Sequence, residues 1–195
     1  MPEPEVVTLE VSEGIGLVTI DNPPVNGVSQ AVRSGLVRCL DAAAAERDLA
    51  ALVIVCAGPC FLSGLDVREF GKAPQGPDQR ELLAALDAFE APVIGVAHGV
   101  ALGAGLETLL CCDYRAVQTG TELALQEVRY GLLPGAGGTQ RLTRLIGVVP
   151  ALEMMVGGGR VGAERARELG LVDEVLGRDI APGVAGRAAA RRWLD

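Results

Sequence analysis

Two β-branched, strand-like runs open the chain, at 6–11 and 15–20, with the turn residues Glu13-Gly14 between them. That pattern predicts a β-hairpin, and Asn22-Pro23-Pro24 ends its second strand. Apolar positions then change period. Val32, Leu36, Val37 and Leu40 recur on one face of a helix expected from Gln30 to about Glu46, with Ser29 as its N-cap. The run "ALVIVCAG" (51–58) is apolar without alternation, as in a strand covered on both faces. An Ala/Leu-rich helix (79–89) and a second buried strand, "PVIGVA" (92–97), follow. A glycine-rich turn leads to a helix ending near Cys111, and another strand-like run occupies 114–118. Beyond it lie a helix from near Thr139, short helical stretches at 150–156 and 163–169, the run "LVDEVL", and a basic amphipathic tail helix. Strands alternating with helices predict an α/β fold of repeated β-β-α units joined by parallel crossovers.

Composition narrows the function classes. The chain has 195 residues, long enough for one domain with a substantial core. Hydrophobic residues make up 49% of it but aromatics only 3%, so Ala, Val, Leu and Ile must build the interior. A net charge of −8 argues against a nucleic-acid partner. The segment "PVIGVAHGVALGAGLETLLCC" (92–112) is long enough to raise the question of a membrane span. Its glycines, His98 and Glu107 favour a buried strand, turn and helix instead, so no membrane partner is expected. The first residues lack a basic and apolar leader, and the five cysteines lie mostly in apolar contexts, which together imply reduced thiols and a cytoplasmic location. With no C-x-x-C and a single histidine, His98, no metal site is expected, and His98 is taken as structural.

The candidate chemistry lies in three glycine-rich places. In "CFLSGLDV" (60–67), Gly64 permits a sharp turn that would aim the Leu65 N–H into a cavity; the plainer reading is a tight strand-to-helix connection. In "HGVALGAGLE" (98–107) the dinucleotide pattern fails, because Thr108 stands where the third glycine belongs. The start of the following helix would leave the Ala104 N–H unpaired, a second donor for a developing oxyanion. Close packing of that helix on the sheet would equally explain the small residues. Glu107 lies on a face with Ala104, Leu110 and Cys111, where an unpaired carboxylate would titrate upward. Its plainer role is to favour the helix start, worth roughly 0.3–1 kcal/mol. Glu127 stands just past an apolar run and ahead of a Gly/Pro loop, where functional residues concentrate.

The segments "FLSGLDV", "GVALGAGLE", "QEVRYGLLPGAGGTQRL" and "ARELGLVDEV" resemble, in order, the motifs of the enoyl-CoA hydratase/isomerase (crotonase) superfamily, and the match is collinear from about residue 6 to 176. "NPPVNGVS" resembles that family's N-terminal coenzyme-A-contact segment. The resemblance implies a crotonase-like spiral over residues 1–195, with a core at about 6–176 and a shortened C-terminal helical region beginning at 177. It implies that the N–H groups of Leu65 and Ala104 form an oxyanion hole. Glu107 would activate water for C3, and Glu127 would supply the C2 proton, in reversible syn hydration of a 2-enoyl-CoA. Pro24, Val25, Ser63, Leu65 and Asp66 would contact the coenzyme A part of the substrate, with no separate cofactor, and the protein would be a homo-oligomer (trimer or hexamer). Two departures bear on the site: Leu65 replaces the usual alanine and would narrow the acyl pocket, and Gln126 replaces a common proline before the second glutamate. An enoyl-CoA isomerase needs one carboxylate, so keeping both favours hydration. Another thioester lyase or hydrolase, or a non-catalytic acyl-CoA-binding scaffold, is the alternative on the same fold.

Overall fold

The computed structural model describes residues 5–73 and 75–194. Strands β1 (Val7–Ser12) and β2 (Ile15–Ile20) form the expected hairpin, paired from Val7↔Ile20 to Ser12↔Ile15. Both Glu13 and Gly14 take positive φ, as a tight two-residue hairpin turn requires. Helix α1 (Gln30–Ala44) starts where the Ser29 side chain accepts from the Val32 N–H. Then come β3 (Ala51–Cys56), α2 (Gln79–Asp87), β4 (Val93–Ala97), β5 (Val100–Leu102), α3 (Ala104–Leu110), β6 (Tyr114–Gln118) and β7 (Glu122–Ala124). The chain continues through α4 (Gly138–Ile146), α5 (Val148–Gly157), β8 (Val161–Gly162), α6 (Ala163–Glu168), β9 (Glu174–Leu176) and α7 (Pro182–Leu194).

Six strands make the main sheet in the order β1-β2-β3-β4-β6-β9, antiparallel only at the hairpin. The unbroken apolar run of β3 has a direct cause. Leu52, Ile54 and Cys56 join one core cluster with α1, α2 and α3, while Ala51, Val53 and Val55 join a second one against α7. Both faces of the strand are covered, so neither can be polar. Helix α7 presents Ala185, Ala189 and Ala190 to the second face, and a methyl added at Gly186 would stand 2.4 Å from Val53. Only small residues allow the helix that close. No helix among the described residues is long and apolar enough to cross a membrane.

The sequence pattern missed the smaller sheet, β5-β7-β8. The stretch read as a turn running straight into a helix contains β5, which pairs parallel with β7 through Val100↔Glu122, Ala101↔Leu123 and Leu102↔Ala124. Strands of three residues are too short to show a period. Helix α5 also begins at Val148, ahead of Pro150, because a proline in the first helical turn loses no intrahelical bond. The main sheet supports the glycine-rich turns, and the small one brings residues 103 and 124–127 together: the Gly103 N–H donates to the Ala124 carbonyl at 2.8 Å.

Candidate active site

Three segments meet around a cavity of about 860 Å3, whose lining includes Ser63, Gly64, Leu65, Asp66, Gly103, Ala104, Glu107, Gln126, Glu127 and Ala136. The loop after β3 is fixed from below by Asn26. This residue is 2% exposed, and its side-chain amide donates to the carbonyls of Ala57 (2.7 Å) and Cys60 (2.8 Å). Val28 then pairs with the loop in a single parallel bridge. Its N–H donates to the Gly64 carbonyl at 2.8 Å and its carbonyl accepts from Asp66 N–H at 3.3 Å. Both bonds use the neighbours of Leu65, so the N–H of Leu65 itself faces away from Val28, as alternation along an extended segment demands. Gly64 makes the turn at φ +110, a conformation that a side chain would strain.

The second turn lies against the first. Leu102 N–H donates to the Leu62 carbonyl at 3.0 Å, and a methyl on Gly105 would meet that same carbonyl oxygen at 2.2 Å. Gly105 is therefore a contact that tolerates no Cβ. Gly103, at φ +50 and ψ −121, reverses the chain between β5 and α3. The first intrahelical donor of α3 is Glu107, bonded to the Gly103 carbonyl at 2.9 Å. Ala104 N–H precedes that ladder and has no helical acceptor.

The two glutamates are both present on this wall and are held differently. Glu107 is 3% exposed, and its Oε1 accepts from the backbone N–H groups of Ala136 (2.8 Å) and Gly138 (2.9 Å). The "PGAGG" loop and the start of α4 thus wrap one carboxylate oxygen with two donors, which offsets the cost of burying it. Glu127 starts a single 3-10 turn, Glu127–Tyr130, and its carboxylate abuts Gly103: a methyl there would lie 3.1 Å from Oε1. Its Oε2 is buried and has no hydrogen-bond partner. Burial pushes the Glu127 carboxyl up, its own backbone N–H opposes the rise, and the nearby Glu107 charge adds to it.

Other expected residues fall less neatly. Ser63, Leu65 and Asp66 line the cavity, with Leu65 44% exposed at it. The Asp66 carboxylate is occupied by Arg68, whose guanidinium reaches both oxygens and holds the carboxyl below its usual range; it also caps the short 3-10 turn Val67–Glu69. The cavity does not extend to Pro24 and Val25; the Val25 carbonyl instead accepts from the Cys60 thiol at 3.3 Å. His98 stands apart from the cavity, with Nε2 against the Gly58 carbonyl at 3.0 Å. Burial raises all five cysteine thiols, Cys112 to about 12, so none is poised as a thiolate nucleophile. Sequence reasoning also missed two residues that shape the site. Buried Arg33 ties the rim to α1 through the Pro77 carbonyl (2.7 Å) and Glu69 (3.0 Å), and Gln79 is buried beside Ala104.

The family model for enoyl-CoA hydratase/isomerase matches residues 10–194. The chain belongs to the enoyl-CoA hydratase/isomerase family. Among curated relatives of this family, the peroxisomal bifunctional enzyme of Danio rerio is 44% identical over 165 residues, covering 85% of this chain and 23% of that protein. A Bacillus subtilis (strain 168) protein named "Probable enoyl-CoA hydratase" is 33% identical over 173 residues, covering 85% of this chain and 67% of that protein. The chain spans about a quarter of the length of the first multifunctional relatives it matches. An enoyl-CoA hydratase subunit I from Geobacillus kaustophilus HTA426 superposes with a TM-score of 0.87 at 30% identity, covering 97% of this chain and 75% of that one. The crotonase-like α/β fold expected from the motifs is thus the fold observed.

Proposed function

We propose that this chain catalyses the reversible syn addition of water to a 2-trans-enoyl-CoA. The observation that carries the reading is the pair Glu107 and Glu127 on one cavity wall, with Glu127 Oε2 buried and unpartnered next to the turn that bares Ala104 N–H. The N–H groups of Leu65 and Ala104 serve the thioester oxygen, stabilising the enolate as negative charge develops there. Glu107, its Oε1 fixed by two backbone donors, orients and deprotonates the water whose oxygen bonds to C3. Glu127, with its carboxyl pushed up by burial, holds a proton and delivers it to C2 as the enolate collapses. The balance is one water consumed: hydroxyl to C3 and hydrogen to C2, with the proton taken up by Glu107 passing through solvent to Glu127 to restore both carboxyls for the next turnover. The Glu107 charge lies close enough to add to the rise of the Glu127 carboxyl. The substrate is an acyl-CoA thioester, and coenzyme A enters only as part of it.

Loss of the enoyl-thioester absorbance of crotonyl-CoA tests the reading. Hydration by the wild-type protein supports it. Saturable binding of the thioester with no turnover replaces it with a binding module, and conversion of a 3-enoyl-CoA without hydration replaces it with an isomerase.

A further inference from the structure

Gln79 is the first residue of α2 and is 9% exposed, unusual for an amide in a run of polar residues, "DQRE". Its Nε2 donates to the Ala104 carbonyl (3.2 Å) and to Thr108 Oγ1 (3.1 Å), while Thr108 Oγ1 itself donates to the Ala104 carbonyl (2.8 Å). Its Oε1 is buried and has no partner. A leucine of similar size would spare that unpaired acceptor, so the amide carries a cost that packing does not explain. The next residue, Arg80, donates through Nε to the Gly135 carbonyl at 3.1 Å, in the loop whose Ala136 and Gly138 N–H groups hold Glu107. The Asp78–Glu81 capping box fixes the turn from which both side chains project.

We infer that Gln79 is a positioning residue, whose amide clamps the Ala104 carbonyl and Thr108 so that the first turn of α3 aims Ala104 N–H at the thioester oxygen. The inference rests on the hydratase reading above and adds a residue to it. Gln79 lines the cavity beside Ala104, and the role inferred for it is exerted through Ala104 rather than on a reacting atom. The same turn of α2 reaches the Glu107 loop through Arg80, so it holds the oxyanion side and the water side of the site in one frame.

The test compares Gln79→Leu with wild type on two readouts. One is the split of kcat from KM on crotonyl-CoA. The other is the red shift of a bound β-aryl-acryloyl-CoA chromophore, which reports polarisation of the thioester carbonyl. Gln79→Leu is expected to lower kcat by about tenfold or more, the scale on which small misplacements act, to leave KM within a few-fold, and to shrink the red shift. Thr108→Val removes one anchor from the other side and is expected to move both readouts in the same direction; it decides the matter should Gln79→Leu not fold. Wild-type kcat and red shift in the folded variant overturn the inference about Gln79. Absence of turnover and of the red shift in the wild-type protein overturns the hydratase reading instead.

Discussion

Glu107 and Glu127 line one cavity, yet the chain treats the two carboxylates in opposite ways. Glu107 is nearly inaccessible and meets two backbone N–H groups; Glu127 is less enclosed as a residue but has one oxygen buried with no partner. The difference teaches that two carboxylates on one wall can be held by different means. Two loop N–H groups fix one oxygen of Glu107, whereas burial, opposed by its own backbone N–H and reinforced by the Glu107 charge, pushes the Glu127 carboxyl up. In the proposed reaction this divides the labour: the donor-held group handles water, and the unpaired group carries the proton.

The strongest way to break the comparison is to remove the proton. Glu127→Gln keeps the shape and is expected to lower kcat for crotonyl-CoA by about 10²–10⁴-fold, the usual weight of general acid–base catalysis, with thioester affinity within a few-fold by equilibrium titration. Glu107→Gln keeps one amide oxygen to accept from Ala136 and Gly138, so it should fold normally while losing on the order of 10²-fold in kcat. Truncation sharpens the contrast in stability. Glu107→Ala strands two buried N–H groups and should lower the unfolding free energy in urea by about 1–3 kcal/mol for each group left unpaired, whereas Glu127→Ala strands no such pair.

The smallest effect is in the pH dependence. Folding raises the Glu127 pKa above its ordinary 4.5. The native state therefore binds this proton more tightly than the unfolded chain. Its stabilising contribution is complete below about 4.5 and is lost as pH rises through the raised value. Glu127→Gln should flatten that decline in a series of urea titrations across the window; an unchanged slope would place the effect elsewhere.

Much of the frame was legible in the sequence. The β3 run announces its two covered faces, and Ser29, Glu13 and Gly14 mark a cap and a turn with side-chain or backbone chemistry that acts locally. The motifs also located all four groups now gathered at the cavity: Leu65, Ala104, Glu107 and Glu127. What stayed hidden depends on partners distant in the chain. Strand β5 exists because β7 lies beside it, and three residues carry no period. The donors to Glu107 come from Ala136 and Gly138, about thirty positions away, and are backbone groups that no residue type advertises. Gln79 sits in a polar run that reads as helix surface; only its hydrogen bonds to Ala104 and Thr108, twenty-five and twenty-nine positions on, show that it turns inward. The expected contact of Pro24 and Val25 with the ligand came from the motif alone, and the cavity ends short of them.

The most direct test of the central claim is the fate of crotonyl-CoA in deuterated water, read by NMR of the product. Two-carboxylate hydration predicts a 3-hydroxyacyl thioester with one deuteron on C2, syn to the new C3 hydroxyl, formed by the wild-type protein and by Glu127→Gln at least about a hundredfold more slowly. Unchanged thioester in the presence of bound wild-type protein, or product formed by Glu127→Gln at the wild-type rate, would contradict it.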